Sequence, residues 1–346
     1  MLIKDVELFA FLQKCANREL DGISQVILPA RPSSENENTF FTRLTEENEF
    51  DLDSYRTVDP AKMLFYLTRE QVFPEKYKPG KRIIAGIKAC DLEALHVLDT
   101  ALVNEDFVDP GYHHWRDNSI IITSDCGEIA STCHCNLVEG KPFCEEGFDL
   151  NLSHINDHYF VKTGSQKGEA FLQLMMQHVS MQRATDEDQA MVERNRQAVF
   201  TQLEEQNKQF ARTQDYANLK TDAADLWEEE SQKCVGCGGC TNICPTCYCL
   251  ILNDESEAEK FVKVRSYDSC QYYGYARVAG GGTPRPKMSQ RFRNRYLCKF
   301  LFMKDNFDLL GCTGCGRCTD TCPAQIDFRK AVYELAGVGE RIPDSG

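Results

Sequence analysis

Eighteen cysteines in 346 residues are the side chains most able to do chemistry in this chain. Eight of them fall in two near-copies of one pattern. CVGCGGCTNICP places Cys234, Cys237, Cys240 and Cys244 ahead of Pro245, and CTGCGRCTDTCP places Cys312, Cys315, Cys318 and Cys322 ahead of Pro323. Both read C-x2-C-x2-C-x3-C-P, the bacterial ferredoxin run, in which the fourth thiolate ligates the cluster of the other run. Three thiolates two residues apart wrap one 4Fe-4S cubane, and small Gly residues let backbone amides approach its sulfides. The spacing therefore assigns Cys234, Cys237, Cys240 and Cys322 to one cluster, and Cys312, Cys315, Cys318 and Cys244 to a second. Crossed ligation of this kind requires the two runs to lie side by side despite the long insertion between them. Structural zinc also uses C-x-x-C pairs, but ordinarily without a third Cys in the run and a trailing Cys-Pro.

Four more thiols form a looser set. Cys90 and Cys126 each follow an expected strand, and in an open α/β sheet the carboxyl ends of neighbouring strands converge. Cys133 and Cys135 sit on a loop able to fold back toward them. Together Cys90, Cys126, Cys133 and Cys135 would surround a third 4Fe-4S cluster. Three alternatives stay open: packing as small apolar residues, a zinc site, and Cys144 in place of one of the four. Cys247 and Cys249 follow the first run directly and are expected to pack beside a cluster and tune its surroundings. Cys15 and Cys298 are expected in the core.

The elements that must position these thiols are readable from periodicity. Residues 5–16 have apolar side chains at helical spacing, and 59–70 open with an Asp-Pro helix start. Strands are expected at 82–88 and 119–123, with a helix at 91–103 between them, which predicts a small parallel sheet. Residues 158–163 form a further candidate strand. From about 168 to 230 the chain turns polar and helical, with one long helix expected over 187–210. The predicted organisation is an α/β domain over 1–175, a helical linker over 176–230, and a dicluster domain over 231–346. The last is expected to be mostly α-helical and ferredoxin-like, of the α-helical ferredoxin type.

Composition narrows the function. The formal net charge is −14, which argues against nucleic acid as a general partner. The chain has no apolar run of membrane-spanning length, and MLIKDVELFAFLQK does not read as a secretory signal. A cytoplasmic compartment, where thiols stay reduced, is therefore expected. One segment is locally basic: Arg285, Lys287, Arg291, Arg293, Arg295 and Lys299, interleaved with Phe292 and Tyr296. It fits a nucleic-acid patch, a solvated helix face, or positive charge beside anionic clusters that also serves an acidic partner; the last is preferred. The glycine turn at 279–284 lacks the context of a phosphate loop, and no dinucleotide fingerprint occurs. His113 and His114 read as a surface turn, and no nucleophile–base constellation stands out, so the sequence presents no catalytic site of its own.

PTCYCLILND (245–254), RSYDSCQYYGYARVAGGG (265–282), RFRNRYLCKF (291–300) and GCTGCGRCTDTCPAQID (311–327) resemble the iron–sulfur subunits of cytoplasmic sulfhydrogenases, there the beta chain, and of anaerobic sulfite reductase. GIKACDLEALHVLD (86–99) and SDCGEIASTCHC (124–135) extend the resemblance to roughly residues 80–330, the four N-terminal cysteines included. It departs at Cys298, where the family often has His, and at Cys144. The resemblance implies a subunit that passes single electrons within a hetero-oligomer. One partner would be a flavin subunit using NAD(P)H or ferredoxin, with FAD on that chain. The other would be a catalytic redox subunit of the hydrogenase or sulfite-reductase kind. Two readings of other classes remain: a cluster-based catalytic subunit in thiol or disulfide reduction, and a structural zinc-binding scaffold.

Overall fold

The runs RIIAGI and SIIITS are apolar on both faces, the pattern of strands covered on each side. In the computed structural model they lie at the centre of a mixed sheet. The structure describes residues 1–20, 22–32, 38–45, 49–75, 77, 80–210, 216–220, 224–257 and 260–336. In chain order the first elements are β1 (Leu2–Lys4), α1 (Asp5–Ala16), β2 (Ile23–Arg31), β3 (Phe40–Arg43), β4 (Glu49–Phe50), β5 (Arg69–Phe73) and β6 (Lys81–Ile87). They continue with α2 (Ala89–Leu102), α3 (Pro110–Asp117), β7 (Ser119–Ser124), β8 (Leu150–Ile155), β9 (His158–Thr163), α4 (Gln166–His178) and α5 (Asp186–Asn207). The C-terminal part adds α6 (Ala224–Ser231), α7 (Gly239–Asn242), β10 (Leu250–Glu257), β11 (Lys260–Tyr267), α8 (Met288–Leu297), α9 (Met303–Phe307), α10 (Arg317–Asp320) and α11 (Phe328–Ala336).

The large sheet runs β1-β9-β8-β7-β6-β2-β3, with β4 also paired to β2. Strands β2, β6, β7 and β8 are mutually parallel, so the expected parallel strand–helix–strand unit is present. Side chains alternate between its faces. Ile83, Ala85, Ile120 and Ile122 pack with Phe11 of α1 and Phe171 of α4 on one side. Ile84 and Ile121 pack with Leu95 and Leu98 of α2 and Tyr112 of α3 on the other.

The helix start at 59–70 is a difference. Only a short 3-10 turn forms, at Ala61–Leu64, and the chain then extends into β5. The cause is tertiary: β10 and β11 form an antiparallel hairpin inside the dicluster insertion, and β5 joins its far edge as a third strand. A segment expected to be helical therefore contains a hairpin and shares a sheet with the N-terminal region. Buried Arg265 of β11 secures that sheet through Glu70 of β5 and Asp109 at the cap of α3.

A second buried ion pair joins the same two regions. Arg317 of α10 makes two parallel bonds to Asp91 of α2, at 2.8 and 2.7 Å, with both side chains 1% exposed. Its Nε–H is shared between the carbonyls of Thr57 and Val58, at 3.0 and 3.1 Å. Removing one member of such a pair strands the other charge in a dry site. Arg317→Leu is expected to lower stability by about 3–5 kcal/mol, measured as the thermal unfolding midpoint under anaerobic conditions. The Asp91→Leu/Arg317→Leu double variant is expected to be more stable than Arg317→Leu alone; equal or lower stability would show that the charge pair is not the cause.

Candidate iron–sulfur centres

Each ferredoxin-like run passes through two left-handed glycines before a short helix turns away. The glycines are Gly236 and Gly238 ahead of α7, and Gly314 and Gly316 ahead of α10. Backbone of this kind curls its N–H groups around a concavity suited to an anionic group. Two narrow cavities result. The first, about 40 Å³, is lined by Cys234, Cys237, Cys240 and Cys322 under the rings of Phe292, Tyr296 and Phe328. The second, about 20 Å³, is lined by Cys312, Cys315, Cys318 and Cys244, with His134 and Lys299. A space of roughly 10–15 Å³ is enough to admit a water, so both are larger than a packing defect. The fourth cysteine of each run thus lies with the first three of the other. Cys318, Arg295 and Phe328 line both cavities and form the wall between them.

The N-terminal thiols also come together. Cys90 sits in the first turn of α2 beyond β6, and Cys126 lies two residues beyond β7, its parallel neighbour. The end of α5 holds the loop that carries the other two: Gln206 and Asn207 each donate to the Cys133 carbonyl at 2.9 Å. Cys126 lies within electrostatic reach of Cys90, Cys133 and Cys135. Cys144 is buried next to Cys126 and bonds the Thr123 side chain.

This quartet abuts the second cavity. The His134 amide donates to the Gly314 carbonyl at 2.8 Å, and the His134 ring reaches within 4.0 Å of Cys312 Sγ. A Cβ on Gly314 would overlap the Cys135 backbone, and one on Gly316 would overlap Thr132. Cys315 lies close enough to Cys90 for each to feel the other's charge.

Thiols bind iron as thiolates, and burial opposes that ionisation. It pushes Cys240 and Cys315 up to about 11 and Cys126 to about 12. Buried cations work in the other direction: Arg295 on Cys240, Arg317 and Arg56 on Cys315, and Lys88 on Cys126. The Cys244 thiol is held well below the ordinary range, first by a hydrogen bond with Cys247 and then by Lys299 and Arg295. Thiol-only donors backed by buried cations fit the soft-donor, net-anionic character of a cysteine-ligated cluster.

The basic segment behaves accordingly. Arg291, Arg295 and Lys299 are buried, as are Phe292 and Tyr296, so neither a solvated helix face nor a nucleic-acid patch describes them. Arg295 and Lys299 face the thiols. Sequence reasoning missed Arg56, Lys88 and Arg317. Arg56 bonds the Cys315 carbonyl and Asp320, and Lys88 donates to the carbonyls of Leu52 and Asp125 at 2.6 and 2.9 Å. Lys88 and Arg317 stand two and one residues from a cysteine, a weak signal; Arg56 has no such neighbour.

These features define an iron–sulfur protein with a dicluster C-terminal part. Residues 233–326 match the family model of the 4Fe-4S dicluster domain. Over 319 residues the chain is 33% identical to sulfhydrogenase 2 subunit beta of Pyrococcus furiosus, an alignment covering 88% of this chain and 91% of that relative. The chain belongs to this family of iron–sulfur beta subunits, electron-transfer subunits of oxidoreductases. No helix among the described residues is long and apolar enough to cross a membrane.

Gly314→Ala is expected to be poorly tolerated, because it combines a left-handed φ of 64° with the overlap at Cys135. A loss of about 2 kcal/mol or more should appear as a lowered unfolding midpoint and faster loss of iron. Gly274→Ala, where the added Cβ meets nothing within 4 Å, is the silent control. Equal behaviour of the two variants would refute the close packing of the second run on the Cys133–Cys135 loop.

Proposed function

We propose that the chain is the electron-carrying subunit of a hetero-oligomeric oxidoreductase in the cytoplasm. It would stand between a flavin subunit that uses NAD(P)H or ferredoxin and a catalytic subunit of the hydrogenase or sulfite-reductase kind. The observation that carries this reading is the contiguity of three thiol groups: two cavities with a common wall, and an N-terminal quartet packed against the second. When bound, a 4Fe-4S cluster accepts and releases single electrons. In this reading Cys234, Cys237, Cys240 and Cys322 hold one cluster, Cys312, Cys315, Cys318 and Cys244 a second, and Cys90, Cys126, Cys133 and Cys135 a third. Arg295, Lys299, Arg317, Arg56 and Lys88 offset the thiolate charge, Phe292 and Tyr296 keep water from the first cavity, and Phe328 keeps it from the shared wall. Cys237 is exposed, which suits it to the end nearest a partner.

The same reading takes 1–175 as an α/β domain, 176–230 as a helical connection, and 231–346 as a dicluster domain of the α-helical ferredoxin type with an added hairpin. FAD belongs to the partner. Iron and sulfide analysis of the anaerobically purified chain tests the assignment. Cys90→Ala and Cys322→Ser are each expected to remove about four irons per chain, and NADPH is expected to reduce the chain only when the flavin subunit is added. Unchanged iron in Cys90→Ala would remove the N-terminal cluster. Turnover of a thiol or disulfide substrate by the isolated chain would replace the electron-carrier reading with a catalytic one.

A further inference from the structure

Three thiols outside these three groups, Cys249, Cys270 and Cys298, also gather in one place although they come from separate segments, and Cys247 stands between them and Cys244. Cys247 and Cys249 precede β10, Cys270 follows β11, and Cys298 opens the turn after α8. The hairpin register sets Leu250 opposite Tyr267, and the Asp268 amide donates to the Cys249 carbonyl at 2.9 Å. That pairing brings the Cys270 segment beside Cys249. The segment is fixed on both sides: Ser269 Oγ lies 2.7 Å from Thr241 Oγ1 of α7, and Gln271 Nε2 donates to the Arg291 carbonyl of α8 at 2.9 Å. From α8 the chain passes into a π-helical turn over Cys298–Phe302, a departure from α geometry that recurs at functional sites.

Two tyrosines mark the convergence. Tyr275 Oη lies 3.6 Å from Cys249 Sγ, and its phenol lies within electrostatic reach of Cys249, Cys270 and Cys298 together. The Tyr248 phenol is similarly close to Cys298, Cys249 and Cys247.

Buried cations identify the charge such a place would hold. Lys62 is 1% exposed, and its ammonium donates to the carbonyls of Cys247 at 2.9 Å and Asn242 at 3.4 Å. Lys299 is 3% exposed and donates to Thr246 Oγ1 at 2.6 Å. Neither has a carboxylate partner among the described residues. A buried ammonium is unfavourable unless negative charge lies nearby, and the nearby groups able to carry it are Cys247, Cys249 and Cys298 together with Cys244 of the second cavity. Cys15 is the contrast. It is fully buried in the apolar core on the inner face of α1, as a packing cysteine should be.

We propose that Cys249, Cys270 and Cys298, with Cys247 on the side that faces Cys244, form a further metal site that takes an iron–sulfur cluster. All-thiolate donors select iron–sulfur or zinc. The site lies beside the other two: Cys270 is close to Cys240 of the first cavity, and Cys298 is close to Cys244 of the second.

The inference does not depend on the electron-carrier reading. Its test is iron, sulfide and zinc analysis of the full chain, purified anaerobically, as wild type and as Cys249→Ser, Cys270→Ser and Cys298→Ala. Each variant is expected to lose about four irons and four sulfides per chain, additive with the loss in Cys90→Ala. Cys15→Ala should lose none. Cys298→His, which keeps a metal-binding side chain, should recover iron that Cys298→Ala loses, and this separates ligation from a folding defect. Iron and sulfide unchanged in all three variants, or the loss of one zinc instead, would overturn the proposal. Failure of only the Cys90 or Cys322 variants to lose iron would count against the preceding reading and leave this one standing.

Discussion

The rest of the structure depends on one constraint: many thiolates must be buried close together, and their negative charge must be met inside the protein. A cysteine held in an apolar setting resists ionisation, yet ionised sulfur is the form that binds iron. The chain answers with cations taken out of water. Arg295 stands between the two cavities, Lys299 beside Cys244, Arg56 and Arg317 beside Cys315, and Lys88 beside Cys126. These side chains are themselves expensive to bury, so each is tied to carbonyls, hydroxyls or a carboxylate. The Arg317–Asp91 pair is one product of that requirement.

The same demand explains why the two halves of the chain are interleaved. The thiol groups come from both, and the cations that serve them come from both. Arg56, Lys62 and Lys88 reach toward the thiols from the N-terminal region, while Arg317 reaches back to α2. β5 crosses into the hairpin sheet, and the end of α5 steadies the Cys133 loop. Arg329 of α11 donates to Asn207 of α5 at 3.1 Å and to the Ser131 carbonyl at 2.9 Å.

What the sequence disclosed follows from how local each feature is. The helix at Asp5–Ala16 and the strand at His158–Thr163 match their expected bounds because apolar periodicity decides them within one segment. The two cysteine runs are legible for the same reason, since the spacing itself dictates the wrap. The hairpin β10–β11 went unread although KFVKVRSY alternates apolar and polar residues, a strand signal overshadowed by the cysteine runs on either side. At 59–70 the Asp-Pro start was real only as a single turn, because the edge of β11 was a better partner for Arg69–Phe73 than further helix. The gathering of Cys249, Cys270 and Cys298 was beyond reach of the sequence: hairpin register and the position of α8 create it, and no fixed spacing announces it.

Close backbone packing at Gly314 and Gly316, the shared hairpin sheet and the Arg317–Asp91 pair together bear on modularity. Ferredoxin-like runs invite treatment as a cassette that can be cut out or moved to another protein. A fragment beginning at residue 231 would leave one edge of β11 unpaired, strip Arg317 of its carboxylate, and uncover the glycines on which the Cys133–Cys135 loop rests. The dicluster segment is therefore a graft that has grown into its host. Change in one half of this protein is constrained by the other, and a chimera that keeps the motif but exchanges the sheet beneath it inherits only half of what the motif needs.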